Sequence, residues 1–280
     1  MDKSLKKYFA IFALPTIIAF VIAFLAPFIM GMYLSFTEFH TVTDASWVGL
    51  KNYMTAFTDE SFVDALWFTV KFTVVSVITI NVLAFTFALL LTGTLKGTNL
   101  FRTVFFMPNL IGGIVLGYIW LSIINAVLYY FGVTITYKPE YGFWGLVILM
   151  NWQLIGYMMI IYIAGIQNVP NELMEAAKID GANKFQILKK ITVPLVMPSA
   201  TICLFLTLTN SFKLFDQNLA LTNGAPAEST TMMALNIYKT FYGRMGWEGV
   251  GQAKGVIFFV IVGLIAITQV ILTRRKEVEY

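Results

Sequence analysis

Residues 169–194 read Val169-Pro-Asn-Glu-Leu-Met-Glu-Ala-Ala-Lys-Ile-Asp-Gly-Ala-Asn-Lys-Phe-Gln-Ile-Leu-Lys-Lys-Ile-Thr-Val-Pro194. Pro170 suits the start of a helix, because its missing N–H falls where a helix has no internal partner. Glu172 and Glu175 follow early, where the helix dipole favours negative charge. Gly181 suits the stop, since it takes a positive φ without steric cost. A second short helix fits 183–192, with Phe185, Leu188 and Ile191 as an apolar stripe. Pro194 and Pro198 mark its exit. Two short helices therefore meet at a glycine turn. Ala176 and Ala177 add little bulk, which lets another protein's backbone come close. On pattern alone, the plainer reading is an amphipathic loop resting on a membrane.

A membrane is what the flanking sequence demands. Of 280 residues, 58% are hydrophobic and only 12% are charged. A soluble domain carries about twice that share of charge. Six apolar runs each approach the roughly 20 residues needed to cross a bilayer. They predict spans near 9–31, 70–91, 103–124, 143–166, 196–216 and 254–273, within one transmembrane domain over 1–280. The first run lacks a convincing small-residue cleavage site, so it reads as a retained helix and not a signal peptide. The fold class expected is all-α and integral to the membrane.

Charge placement gives an orientation. With both termini inside, the inner segments hold Lys3, Lys6, Lys7, Lys96, Arg102, Lys178, Lys184, Lys189, Lys190, Arg274, Arg275 and Lys276, which is 12 of the 19 basic residues. The positive-inside rule then predicts cytoplasmic termini and puts the 169–194 loop in the cytoplasm. Two long outer loops follow, near 32–69 and 217–253. The first carries Trp47, Tyr53, Phe57, Phe62 and Trp67. Such aromatic density suits interfacial helices at the headgroup level. A docking surface for an external partner is compatible with it.

The loop also carries a resemblance. Glu175-Ala176-Ala177, three residues, Gly181, nine residues, Ile191, one residue and Val193-Pro194 resemble the EAA motif of ABC importer permeases. Asp180-Gly181-Ala182 and Pro198 extend the match to the sugar branch, of maltose and multiple-sugar type. Val193 stands where the family pattern has Leu. Trp47-Val-Gly-Leu-Lys-Asn-Tyr53 and Leu221-Thr-Asn-Gly-Ala-Pro226 are similar to family segments, with Ala225 in place of a glycine. The resemblance implies a type I ABC importer permease of six spans in a bacterial cytoplasmic membrane. It implies that 169–194 is a coupling loop between spans four and five. There Glu175, Ala176, Ala177, Asp180, Gly181, Ala182, Ile191 and Pro194 would meet a cytoplasmic ATPase, Glu175 as the anchoring acid and Gly181 as the turn. It implies as partners a second permease, forming a heterodimer, two ATPase subunits that hold ATP and Mg, and an extracytoplasmic solute-binding protein. No cofactor, metal or nucleic acid is expected on this chain.

Polar groups within the spans give a candidate solute path. Thr207, Asn210, Ser211 and Leu214 fall at i, i+3, i+4 and i+7 of span five, on one helical face. Gln153 and Tyr157 lie at i and i+4 of span four, beside Trp152. Amides and hydroxyls supply both donors and acceptors for sugar hydroxyls, and an aromatic ring covers the apolar face of a pyranose. Maltose-type permeases line their cavity at corresponding positions, which the resemblance adds. Interhelical hydrogen bonding is the competing reading for each residue. Lys213 and Asp216 could pair with each other or with a partner. Asn81 reads as structural, and Gly113/Gly117 and Gly251/Gly255 as close-packing pairs.

Several classes are excluded or disfavoured. No Gly-x-x-x-x-Gly-Lys-Ser/Thr occurs, so the chain has no P-loop for ATP. His40 is the single histidine and Cys203 the single cysteine, which leaves no zinc spacing and no disulfide within the chain. No carboxylate lies well inside a span, which counts against an ion-coupled secondary transporter. A membrane-embedded enzyme lacks catalytic groups. The expectation is a permease that hydrolyses nothing itself and passes a sugar, most simply an oligosaccharide. Glycerol phosphate or another polyol derivative is the rival solute.

Overall fold

The computed structural model describes Phe9, residues 11–93 and residues 96–275. Lys3, Lys6, Lys7 and Lys276, counted above for orientation, lie outside the described residues. In chain order the elements are α1 (Leu14–Leu34), strands β1 (Thr37–Glu38) and β2 (Ser46–Trp47), α2 (Lys51–Thr58), α3 (Glu60–Leu91), α4 (Thr98–Leu110), α5 (Gly113–Tyr129), α6 (Pro139–Gln167), α7 (Asn171–Ile179), α8 (Lys184–Leu195), α9 (Met197–Phe212), α10 (Asp216–Leu221), α11 (Met233–Gly243) and α12 (Glu248–Arg274). The architecture is helical, with several helices of membrane-crossing length. Its one sheet among the described residues is the antiparallel pair Thr37↔Trp47 and Glu38↔Ser46.

Among the described residues four helices are long and apolar enough to cross a bilayer: α1, α3, α6 and α12. Two bent helix pairs bring the number to six if each is one span. The stretch expected as one helix over 103–124 is α4 followed by α5, bent by 104°. Gly112 is extended there, at φ −61 and ψ 143, and the poor helix propensity of two adjacent glycines permits the break. Gly113 and Gly117 leave room for α10, since a Cβ at either would overlap Asp216 or Ala220. The other bent pair is α8 and α9, at 67°. Here Pro194 does not end the helix as expected. A π-helical segment at Leu188–Thr192 precedes it, and the helix runs on to Leu195. The same device precedes Pro27, with a π-helical segment at Val21–Leu25 inside α1. A proline removes one i→i−4 bond and its ring crowds that carbonyl, and the wider turn relieves the clash. Span two also begins at Glu60, ten residues before the expected start at 70.

The chain divides into two compact units, one up to Phe62 with Ile237–Phe259, the other Val63–Asn236 with the residues from Val260 on. In the second unit α6 is the axis. Its most apolar stretch is 67% buried, against 11% for that of α1. Leu146, Leu149, Met150, Met158 and Met159 of α6 form one core with Phe72 and Ile80 of α3 and Cys203 of α9. Between apolar helices in lipid, such contact stabilises through close packing and not through escape from water. Gly156 permits the tightest approach, since a side chain there would run into the Phe105 carbonyl of α4.

In the first unit, Asp59 ends α2 and faces Lys254 of α12. Lys254 Nζ donates to Asp59 Oδ2 at 2.7 Å, and Arg244 Nη1 donates to the same oxygen at 3.2 Å. The Lys254 side chain is fully buried and that of Asp59 is 11% exposed. Gly251 packs on Phe241, whereas Gly255, its expected partner in a close-packing pair, has open space beside it.

Candidate functional site

Two places carry the expected site residues, and both lie in the second unit. The first is the turn between α7 and α8. Pro170 caps α7 and Asn171 is its first residue. Gly181 takes φ +82, and its N–H donates to the Lys178 carbonyl at 3.1 Å while Ala182 N–H reaches the Ala177 carbonyl at 2.9 Å. These bonds satisfy the last carbonyls of α7. Asn183 then opens α8 with a capping box, its Oδ1 accepting from Gln186 N–H at 2.9 Å and Gln186 Oε1 accepting from Asn183 N–H at 2.8 Å. Asn183 and Gln186 at that spacing are a readable start signal that fixes where the second helix begins.

Burial divides this loop into an inward and an outward face. Met174 and Ile191 pack against the core, and Ile187 is buried. Glu175, Ala176, Asp180 and Gly181 are exposed, Ala177, Ala182 and Pro194 half-buried. Phe185, expected on the inner stripe with Leu188 and Ile191, is instead 69% exposed, and Ile179 is 86% exposed. Ile187, not Phe185, turns inward. The turn therefore presents two carboxylates, small alanines and two large apolar side chains together.

The second place is a cavity of about 250 Å³ lined by Asn109, Met150, Gln153, Leu154, Tyr157, Asn210, Lys213, Leu214 and Gln217. Gln153, Tyr157, Asn210 and Leu214 of the expected path meet there. Thr207 and Ser211 do not, because both are fully buried between helices. Thr207 Oγ1 donates to the Cys203 carbonyl at 2.8 Å and accepts from Asn81 Nδ2 at 2.9 Å. Tyr162 Oη donates to Asn81 Oδ1 at 2.8 Å, so α3, α6 and α9 are tied at one point. Ser211 Oγ donates to the Thr207 carbonyl at 2.7 Å. Trp152 turns away as well, edge-on to Trp120 at 5.6 Å.

Asn109 and Gln217 line the cavity without having been singled out in the sequence. The kink at Gly112 brings Asn109 there, and Met107-Pro-Asn-Leu-Ile-Gly-Gly113 is the broken-helix signal that could have found it. Gln217 sits on α10, a helix too short to be read from hydropathy. Its Nε2 donates to Gln153 Oε1 at 2.8 Å. Lys213 is the one charged lining residue, is exposed, and forms no ion pair with Asp216 among the described residues. Four amides and a phenol thus face one space, with no carboxylate among them.

Known proteins agree on what such a chain is. The family model described as binding-protein-dependent transport system inner membrane component matches residues 93–278. The chain belongs to this family. The permease is 44% identical over 97% of its length, and 96% of the relative's, to the probable starch degradation products transport system permease AmyD of Thermoanaerobacterium thermosulfurigenes. It is 30% identical, over 99% of both chains, to the multiple sugar-binding transport system permease MsmF of Streptococcus mutans. Among solved structures it superposes on a chain of a bacterial ABC transporter that imports alginate, at a TM-score of 0.82, 22% identity and 98% coverage of both. That likeness concerns the fold. The permease is thus the multi-pass inner-membrane component of a binding-protein-dependent ABC importer, and ATP hydrolysis belongs to a separate subunit.

Proposed function

We propose that the permease carries an oligosaccharide into the cytoplasm through the cavity lined by Asn109, Gln153, Tyr157, Asn210 and Gln217. The convergence of four amides and one phenol carries this reading. Each amide offers donors and acceptors at once, which matches the paired roles of sugar hydroxyls. The relatives named for starch degradation products and multiple sugars support it. At about 250 Å³ the cavity is smaller than a usual ligand pocket. It is one wall of a pathway that a second, different permease completes.

The termini lie in the cytoplasm on this reading, as the lysine and arginine distribution favours. The α7–α8 turn then docks on one of two ATPase subunits, which bind ATP and Mg. Glu175 anchors the contact, with Ala176, Ala177, Asp180 and Ala182 around it and Ile191 and Pro194 fixing it to the bundle. Ile179 and Phe185 add apolar contact. An extracytoplasmic binding protein delivers the sugar.

The test is uptake by the full transporter reconstituted in vesicles, with labelled maltodextrin, α-galactoside and glycerol phosphate in competition. Oligosaccharides compete and glycerol phosphate does not. Competition by glycerol phosphate alone overturns the sugar assignment, and a single cavity lysine makes that outcome unexpected.

A further inference from the structure

Helix α2 turns Asn52 and Ala56 inward and leaves Met54 and Phe57 exposed. Asn52 is buried, and its Nδ2 donates to the carbonyls of Ser35 at 3.0 Å and Thr37 at 2.8 Å. Ala56, one turn on, is fully buried. These contacts fix the rotation of the helix. Leu50, Met54 and Phe57, at i, i+4 and i+7, then share the opposite face. They are 58, 66 and 63% exposed. Trp47 extends that face, 64% exposed and held flat on Phe36 at 5.4 Å between ring centroids. No charged side chain lies among these four. Lys51, beside them, pairs with Glu38 at 3.2 Å.

A helix that turns apolar side chains outward by construction needs an apolar environment outside. Two observations say which. Asp59 alone separates α2 from the spanning helix α3, so α2 lies at the end of a span. Trp47 also meets Tyr33 at 6.1 Å, and Tyr33 belongs to the end of α1, whose apolar stretch is only 11% buried. The exposed face of α2 is therefore continuous with the exposed apolar surface of α1. Tryptophan and tyrosine at a span end are the side chains that settle at the headgroup level.

We propose that α2 is an interfacial anchor, Met54 and Phe57 entering the headgroup layer of the bilayer with the adjoining Trp47 and Leu50; on the proposed orientation of the termini this is the outer layer. Insertion rests on apolar area, since the face has no basic residues to attract anionic lipid. A docking surface for the solute-binding protein is the competing occupant, and the experiment separates the two.

Cys203 is buried and is the chain's single cysteine, so a cysteine introduced on α2 is labelled selectively in the folded protein. The complete transporter carrying Met54→Cys is labelled with a small fluorophore and reconstituted in vesicles that contain phosphatidylcholine brominated near the glycerol end of the chain. The unsubstituted transporter supplies the labelling blank, and Thr41→Cys, on an exposed loop residue, supplies the water-facing reference. Quenching at position 54 is expected to exceed that at 41 several-fold. It is expected to be equal in zwitterionic vesicles and in vesicles with added phosphatidylglycerol. Quenching no greater than at 41, or shielding of position 54 from a water-soluble quencher only when the solute-binding protein is added, overturns the proposal. Phe57→Cys repeats the measurement should Met54→Cys fail to assemble.

Discussion

Gln217 Nε2 donates to Gln153 Oε1 across 2.8 Å, which joins the short helix α10 to the buried axis α6 at the edge of the cavity. Gln153 also reaches the Ile111 carbonyl at the kink between α4 and α5, at 3.5 Å. One amide thus senses both elements that frame the cavity. Gln217→Ala removes its donor. A net hydrogen bond is worth about 1 kcal/mol, or roughly fivefold in an equilibrium. Uptake of oligosaccharide is expected to fall by about that factor in kcat/KM, with the complex still assembled on gel filtration.

The two groups of polar residues on α9 predict opposite phenotypes. Asn210 faces the cavity, so Asn210→Ala is expected to weaken uptake several-fold and leave the melting temperature unchanged. Thr207 is buried and accepts from Asn81. Thr207→Val keeps the shape and strands that donor, which is expected to cost about 1 kcal/mol of stability. Uptake per assembled complex should stay near that of the unsubstituted protein. Thermal melting in detergent and vesicle uptake, measured on both variants, check the division.

Gly181 takes φ +82 with nothing within 4 Å of a would-be Cβ. A substitution there meets backbone strain and no clash. Gly181→Val forces a β-branched residue into the left-handed region, at a cost of about 1–2 kcal/mol or more. Gly181→Asn adopts that region far more readily. The valine variant is expected to retain ATP hydrolysis and lose most transport, and the asparagine variant to retain both. Equal coupling in the two would remove the turn from the path of force transmission.

Asp59 makes stability depend on acid. Burial raises its carboxyl pKa, but the hydrogen bonds from Lys254 and Ser61, with the charges of Lys254 and Arg244, outweigh it and hold the group below its ordinary 3.8. The folded form therefore binds the proton less readily than the unfolded one. The resulting stability is present above the ordinary carboxylate range and is lost as pH falls through the depressed value. Asp59→Asn removes the charge opposite the fully buried Lys254. It is expected to destabilise by about 3 kcal/mol at neutral pH. It should also flatten the fall in melting temperature at pH values below about 4, where the native carboxylate titrates.

What sequence alone determined is local. Runs of apolar residues fixed the spans at α1, α3, α6 and α12, because a bilayer tests each segment by length and hydropathy without reference to the others. Gly181 fixed a turn, because only its own φ matters there. The shared face of Gln153 and Tyr157 on α6 was legible for the same reason, whereas Leu214, expected on the face of Asn210, lies past the end of α9 at Phe212. Tertiary structure decided everything that depends on a neighbour. Thr207 and Ser211 share a sequence pattern with Asn210, yet they point into packing, because the stripe on α9 is wide enough to face both α6 and the cavity. Asn109 reaches the cavity because Gly112 breaks a helix that hydropathy reads as continuous, and Gln217 because it sits on the short helix α10. Ala225 needs no positive φ, because Asn223, Gly224, Ala227 and Glu228 carry the positive φ values of that loop. Pro194 ends no helix, because a π-helical turn upstream absorbs its ring. Hydropathy counts residues along one segment, whereas a binding surface is set by how several segments bend and rotate against each other.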